Sequence, residues 1–462
     1  MATTTATAQR ATSGRGNLVA IIAMFFLFAM ISFVTNLAAP MGTIWKNNYE
    51  WSGMLGNMMN FLAYLFMGIP AGNLLMKIGY KKTALWAMVV GFFGLLFQLL
   101  SSYVGTETGV FEVAGQVVTL NFIIYLLGAF VCGFCVCMLN TVVNPMLNLL
   151  GGGGNTGNQL VQSGGTFNSL SGTLTPLFVG VLIGQVTPET TVANVAPLLY
   201  IAMGVFVAAF LVICLVAIPE PHMLKKGDKK AVIKYSHSPW NFRHTVLGVF
   251  GIFFYVGIEI GIPGVLNFYL SDSAASGIAV NASAVAGGIV AIYWLLMLVG
   301  RLVSSLISGK VSSRTQLIVV SATAIFFILI AIFLPDTVRL SMPAYSAAGG
   351  FFMALVPAKA LFLVLCGLCT SVMWGGIFNL AVEGLGKYTA KASGIFMMMV
   401  VGGGVMPLIQ NAIANSVGYM ASYWLVIAML AYLFYYGVVG CKNVNTDIPV
   451  NDVDEVPDAR DL

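Results

Sequence analysis

The chain has 462 residues, of which 59% are hydrophobic and only 8% charged, against roughly 25% charged in an ordinary soluble domain. So few charges cannot cover a soluble fold of this size. The composition points instead to a polytopic membrane protein whose backbone groups are satisfied within helices. The net charge of +5 therefore reflects topology and is no nucleic-acid footprint.

In chain order, residues 1–16 hold Thr, Ala, Arg and Gly with no short apolar core and cleavage site, so they read as a tail and not as a removable signal peptide. Twelve apolar runs follow, each about 20 residues or more and so long enough to cross a bilayer. They cover approximately 17–40, 51–76, 83–103, 117–149, 159–186, 196–218, 244–271, 281–308, 314–335, 353–382, 390–416 and 418–440. The loops after odd-numbered runs hold only Lys46, Arg339 and, at a helix end, Lys359. The other 18 of the 21 Lys and Arg fall on the opposite side. By the positive-inside rule this places both termini in the cytoplasm. Six of the seven Cys lie in apolar runs, which speaks against a disulfide framework.

The longest charged interruption, Pro219 to Arg243, separates residues 17–218 from 244–440 as two six-helix halves, with an acidic tail at 441–462. Echoes between the halves support duplication. CGFC at Cys132–Cys135 returns as CGLC at Cys366–Cys369, Gly172 and Pro176 as Gly403 and Pro407, Gly72 as Gly300, and Phe25/Phe26 as Phe253/Phe254, all at offsets between 228 and 234. The two Cys pairs have metal or redox spacing, but inside apolar helices small Cys and Gly residues serve close backbone approach. The Gly-rich stretch Leu150–Asn158 has no preceding strand and no following Lys-Ser/Thr; it reads as a flexible connection and not as a phosphate cradle.

One carboxylate stands out. Glu259 lies at the centre of the seventh run, where a charge costs about 2.5–3.5 kcal/mol to insert and is normally kept for a substrate, an ion or a proton. Gly257, Gly261 and Pro263 surround it and predict an irregular helix, with unwound backbone lining a cavity. Asn267 lies two turns further along that face. Asn140, Asn144 and Asn148 share one face of the fourth run. Gln162, Thr166, Asn168 and Ser169 form a polar cluster in the fifth, and Ser32, Thr35 and Asn36 end the first. Each amide has a plain alternative role in interhelical hydrogen bonding. Tyr255, Tyr293, Trp294 and Trp374 are candidate stacking platforms for a substrate, or ordinary packing residues. Arg301, near the cytoplasmic end of the eighth run, reads as a gate or a structural partner, as do Lys77 and Lys81 in the loop after the second run.

The stretch IPAGNLLMKIGYKKT (Ile69–Thr83) resembles the signature loop of the major facilitator superfamily at Gly72, Lys77, Gly79, Lys81 and Lys82, with Met76 where that pattern has Asp. NTVVNP (Asn140–Pro145), GTFNSLSG (Gly165–Gly172), YVGIEI (Tyr255–Ile260), YWLLMLVGR (Tyr293–Arg301), EGLGKYTAKASG (Glu383–Gly394) and VVGGGVMP (Val400–Pro407) are similar to the fucose and glucose/galactose permeases of its fucose:proton symporter family. The resemblance implies an all-α membrane protein of twelve transmembrane helices in two parallel-repeat halves. It also implies transport of a monosaccharide by alternating access. Asn36, Asn140 and Asn168 fall on motif positions of that family, but its proton symporters carry acids at the first two. An amide cannot take a proton at physiological pH, so the family's proton path does not carry over unchanged; Glu259 becomes the coupling candidate for a proton or sodium ion or, in a passive uniporter, a direct sugar ligand. The expectation is a carrier without cofactors beyond that ion, working as a monomer in a plasma or bacterial inner membrane. Its partners are then a sugar and the lipid, and not nucleic acid.

Overall fold

The computed structural model describes residues 14–151, 154–183, 190–218, 237–307, 311–346, 350–385 and 388–450. The first series of helices is α1 (Gly14–Asn48), α2 (Leu55–Leu100), α3 (Leu120–Leu150), α4 (Gly154–Ile183) and α5 (Ala196–Leu215). The second is α6 (Arg243–Ser271), the one-turn α7 (Ser273–Ser276), α8 (Ala282–Ile307), α9 (Ser313–Phe333), α10 (Lys359–Thr370), α11 (Met373–Val382), α12 (Thr389–Met399), α13 (Gly402–Val417) and α14 (Tyr419–Tyr435). Most of the charged linker and the acidic tail beyond Val450 lie outside the described residues, as does Lys387.

Eleven stretches among the described residues are long and apolar enough to cross a membrane. With α4, a further helix of 30 residues between the fourth and sixth of the twelve, the crossings number twelve. The second and third crossings are one continuous element, α2, bent at Gly79, where φ is 86° and ψ 174°. Only glycine takes that backbone without penalty, and Thr83 Oγ1 caps the freed Gly79 carbonyl at 2.7 Å. The tenth and eleventh crossings are each made of two pieces, α10 with α11 and α12 with α13.

Two antiparallel hairpins depart from the apolar-run reading. β1 (Gly109–Val113) pairs with β2 (Gln116–Thr119), and β3 (Arg339–Ser346) with β4 (Gly350–Pro357). The second hairpin takes residues 353–357 out of the predicted tenth run. Its aromatic residues Tyr345, Phe351 and Phe352 and its period-2 burial suit strands with one face on α8 and one face outward. The hairpins begin 230 residues apart in sequence, within the offset of the other echoes. With twelve crossings the start of α1 and the end of α14 share one side of the molecule, and both hairpins, after the third and ninth crossings, lie on the other.

Long apolar side chains such as Leu215, Phe326 and Phe333 point outward, as expected where lipid replaces water. Between helices the contacts are made by small residues. A Cβ on Gly94 would lie 2.6 Å from Cys132 Sγ, and one on Gly91 2.8 Å from Cys135 Sγ. All seven cysteines are free, and no group of three or more metal-ligating side chains occurs among the described residues. Cys132 and Cys135 of the CGFC stretch pack against Gly94 and Gly91 of α2.

Candidate functional site

The seventh crossing, α6, is an uninterrupted helix through Gly257, Gly261 and Pro263, in contrast to the irregular backbone its sequence predicts. The reason is local. Proline at 263 has no N–H to give to the carbonyl four residues earlier, which is that of Glu259. Tyr293 of α8 donates its hydroxyl to this oxygen at 3.2 Å and pairs with Thr370 Oγ1 of α10 at 3.0 Å. The glycines meanwhile accept α13 at close range: a Cβ on Gly257 would lie 2.6 Å from Met406 Cβ, and one on Gly261 2.3 Å from Gln410 Oε1. Packing and a borrowed donor keep the helix unbroken.

The Glu259 side chain forms an ion pair with Arg301 of α8, Oε1 to Nη2 3.4 Å, the side chains being 15% and 11% exposed. Arg301 is not at the membrane edge, as its sequence position suggests. Helical side chains point back toward the N-terminus of their helix, and a residue six positions before the end of α8 therefore reaches inward. Its Nη1 donates to Gly165 O at 2.7 Å and to Ser169 Oγ at 2.8 Å, both in α4 of the first series. One guanidinium thus ties the carboxylate of one series to the backbone of the other. The buried Tyr255 hydroxyl lies within electrostatic reach of both charges and has no well-formed hydrogen bond.

The α4 face that meets the second series reads Gln162, Gly165, Ser169 and Gly172, spaced three, four and three residues apart. A Cβ on Gly375, beside Trp374, would lie 2.5 Å from Gln162 Nε2, and one on Gly172 would meet Ser32 Oγ at 3.0 Å, Asn36 Nδ2 at 3.3 Å and Trp294 at 3.5 Å. The Tyr255 and Trp374 rings lie 6.1 Å apart, centroid to centroid. Gln162, Asn36, Glu259, Arg301, Tyr255, Trp294 and Trp374 therefore lie along one seam between the two series.

Other candidates are occupied elsewhere. Asn168 Nδ2 donates to Phe28 O at 3.1 Å, joining α4 to α1. Asn140 Nδ2 donates to Tyr64 Oη at 2.8 Å, and Asn144 Nδ2 to Asn140 O at 3.0 Å, so these amides form a chain that includes Tyr64, a residue the motifs did not single out. Asn36 Nδ2 donates within its own helix to Ser32 O and Oγ. Tyr293 is fully buried with its hydroxyl engaged, so it holds α6 and presents no stacking face here. Asn267 is half-buried and Lys77 exposed. Lys81 donates to Cys214 O and Val216 O at 2.7 and 2.9 Å, capping the end of α5. Arg301 with Ser169 was legible only as two separate polar residues; their spacing in sequence gives no sign that they meet.

The Major Facilitator Superfamily family model matches residues 20–406. Among curated proteins, a glucose/galactose transporter of Brucella abortus is 29% identical over 429 residues, covering 92% of this chain and 94% of the relative. A putative glucose/galactose transporter of Helicobacter pylori is 29% identical over 443 residues, covering 91% and 96%. The L-fucose-proton symporter of Escherichia coli is 22% identical over 422 residues, covering 86% of each. Its fold is similar to the crystal structure of the E. coli fucose:proton symporter, with a TM-score of 0.65, 17% identity, and coverage of 92% of this chain and 98% of that one. With the twelve crossings and the paired series, these matches place the chain in the major facilitator superfamily, a family of membrane transporters and not of enzymes.

Proposed function

We propose that this protein carries a monosaccharide, a hexose such as glucose, galactose or fucose, across a membrane by alternating access, and that a proton or sodium ion drives it through Glu259. The observation that carries the reading is the seam itself. Half-buried amides (Asn36, Gln162) and indoles (Trp294, Trp374) converge between the series around the Glu259–Arg301 pair. A sugar offers many hydroxyls, no charge and an apolar C–H face, and amides with aromatic platforms match it. The permeases similar to this chain support the same substrate class.

In this reading residues 17–218 and 244–440 are the moving halves, 219–243 joins them, both termini are cytoplasmic, and the carrier works as a monomer. Arg301 occupies the place a cation would take at Glu259. Cation binding and the ion pair are therefore mutually exclusive, and a coupled cycle must break the pair. The pair also supports a second reading, a passive carrier in which Glu259 stays neutralised by Arg301 and accepts hydrogen bonds from the sugar.

Uptake of radiolabelled hexoses into proteoliposomes under proton, sodium or no gradient separates the two. Concentrative uptake under one gradient, lost in Glu259→Gln while exchange persists, fits coupling. Saturable uptake that ignores gradients fits the passive carrier. Absence of saturable hexose uptake under every gradient refutes both.

A further inference from the structure

An interior proline leaves the carbonyl four residues before it without a helical partner, and a buried carbonyl must be paired somewhere. The second series has two such carbonyls whose new donors are known. Glu259 O, released by Pro263, is taken by Tyr293 of the same series. Gly403 O, released by Pro407, accepts a 2.8 Å hydrogen bond from Asn57 Nδ2. Asn57 stands in α2, in the first series, and is 8% exposed. The two devices are chemically alike and differ in which body supplies the donor.

The surroundings of Asn57 are a sealed contact between the series. A Cβ on Gly403 would lie 2.9 Å from Phe61 Cε1, and one on Gly404 2.9 Å from Met58 Cα, so α2 and α13 meet almost backbone to backbone. Beyond them, toward the side of the hairpins, Met54 Cε rests on Gly264, Gly53 abuts Phe268, and Lys46 Nζ sits 4.3 Å above the Phe268 ring. Asn57 lies at the inner edge of this seal.

We infer that Asn57 is a latch between the two series: seated on the carbonyl that Pro407 releases, it favours closure on the side of the hairpins, and the bond breaks each time that side opens. The latch rests on the reading that the series part and close, but it is independent of the solute carried. Tyr293 travels with the carbonyl it caps and holds in every state. Asn57 does not travel with Gly403, and on opening both groups exchange each other for water. Because that exchange is nearly balanced, the bond biases the equilibrium without freezing it.

The test replaces the seven native cysteines with serine or alanine and uses Met54→Cys, buried in the seal, as the reporter. Its alkylation by a membrane-impermeant maleimide is followed on purified protein in detergent, without sugar. Asn57→Ala strands the carbonyl in the closed state and raises the alkylation rate about tenfold, the factor that corresponds to about 1.4 kcal/mol. Pro407→Ala restores the helical N–H, leaves Asn57 without its acceptor, and raises the rate likewise. The double variant has its carbonyl satisfied and no stranded amide, so its rate returns to within about twofold of the parent. An unchanged rate in either single variant, or a double variant at least as reactive as the singles, overturns the latch. Because no transport is measured, failure of the sugar reading leaves this result unaffected.

Discussion

Removing one member of the Glu259–Arg301 pair should be far worse than removing both. At 3.4 Å and an effective dielectric of about 20, the attraction is about 5 kcal/mol, most of it offsetting the cost of taking two charges out of water. Arg301→Gln leaves a carboxylate among apolar and aromatic neighbours and also deletes the two bonds to Gly165 and Ser169, so a loss of about 3–5 kcal/mol is expected. Glu259→Gln leaves Arg301 still bonded to both α4 acceptors, so it should cost less. The double variant removes the charges together and should recover most of the loss. Thermal unfolding in detergent, followed by tryptophan emission, reads the order directly: Arg301→Gln lowest, Glu259→Gln intermediate, the double variant nearest the parent. If Glu259→Gln unfolds at or below Arg301→Gln, or the double variant below both, Arg301 is not the partner that makes Glu259 tolerable.

The repeat-related glycines should behave differently in the same assay. A Cβ on Gly300 would lie 2.2 Å from Ser371 Oγ, whereas Gly72 has nothing within 4 Å, so Gly300→Ala should cost about 1–3 kcal/mol and Gly72→Ala within about 0.5 kcal/mol. Lys81→Met removes both caps from the end of α5 and should cost about 1 kcal/mol at this partly solvated site. Faster amide exchange confined to residues 213–216 would report it, and unchanged exchange there would argue against capping.

The membrane class and the crossings were legible because lipid demands long apolar runs, and a run is a local property. The hairpin β3–β4 was not, because residues 353–357 are as apolar as the helix that follows and an apolar strand looks like the start of that helix. Pro263 was read as a break since its effect on its own helix is local, while its remedy, Tyr293, comes from another helix. The site divides in the same way. Glu259 was visible as a lone charge, but its partner was misplaced near the membrane edge because the length and direction of an arginine side chain are not part of a hydropathy run. The amides of α3 and α4 were singled out as polar; which of them face the seam and which bond within their own series depends on residues such as Tyr64, Phe28 and Gly375 that other helices bring to them.

One consequence follows from the way α8 grips α6. Tyr293 and Arg301, eight residues apart, both reach Glu259, one at its backbone oxygen and one at its carboxylate. Two points about 12 Å apart along α8, at the ~1.5 Å rise of a helix, thus converge on one residue of α6 and hold both its backbone and its side chain. In the alternating-access reading, breaking the carboxylate bond therefore leaves α6 tied to α8 at this residue through Tyr293 alone, a hinge in place of a double clasp.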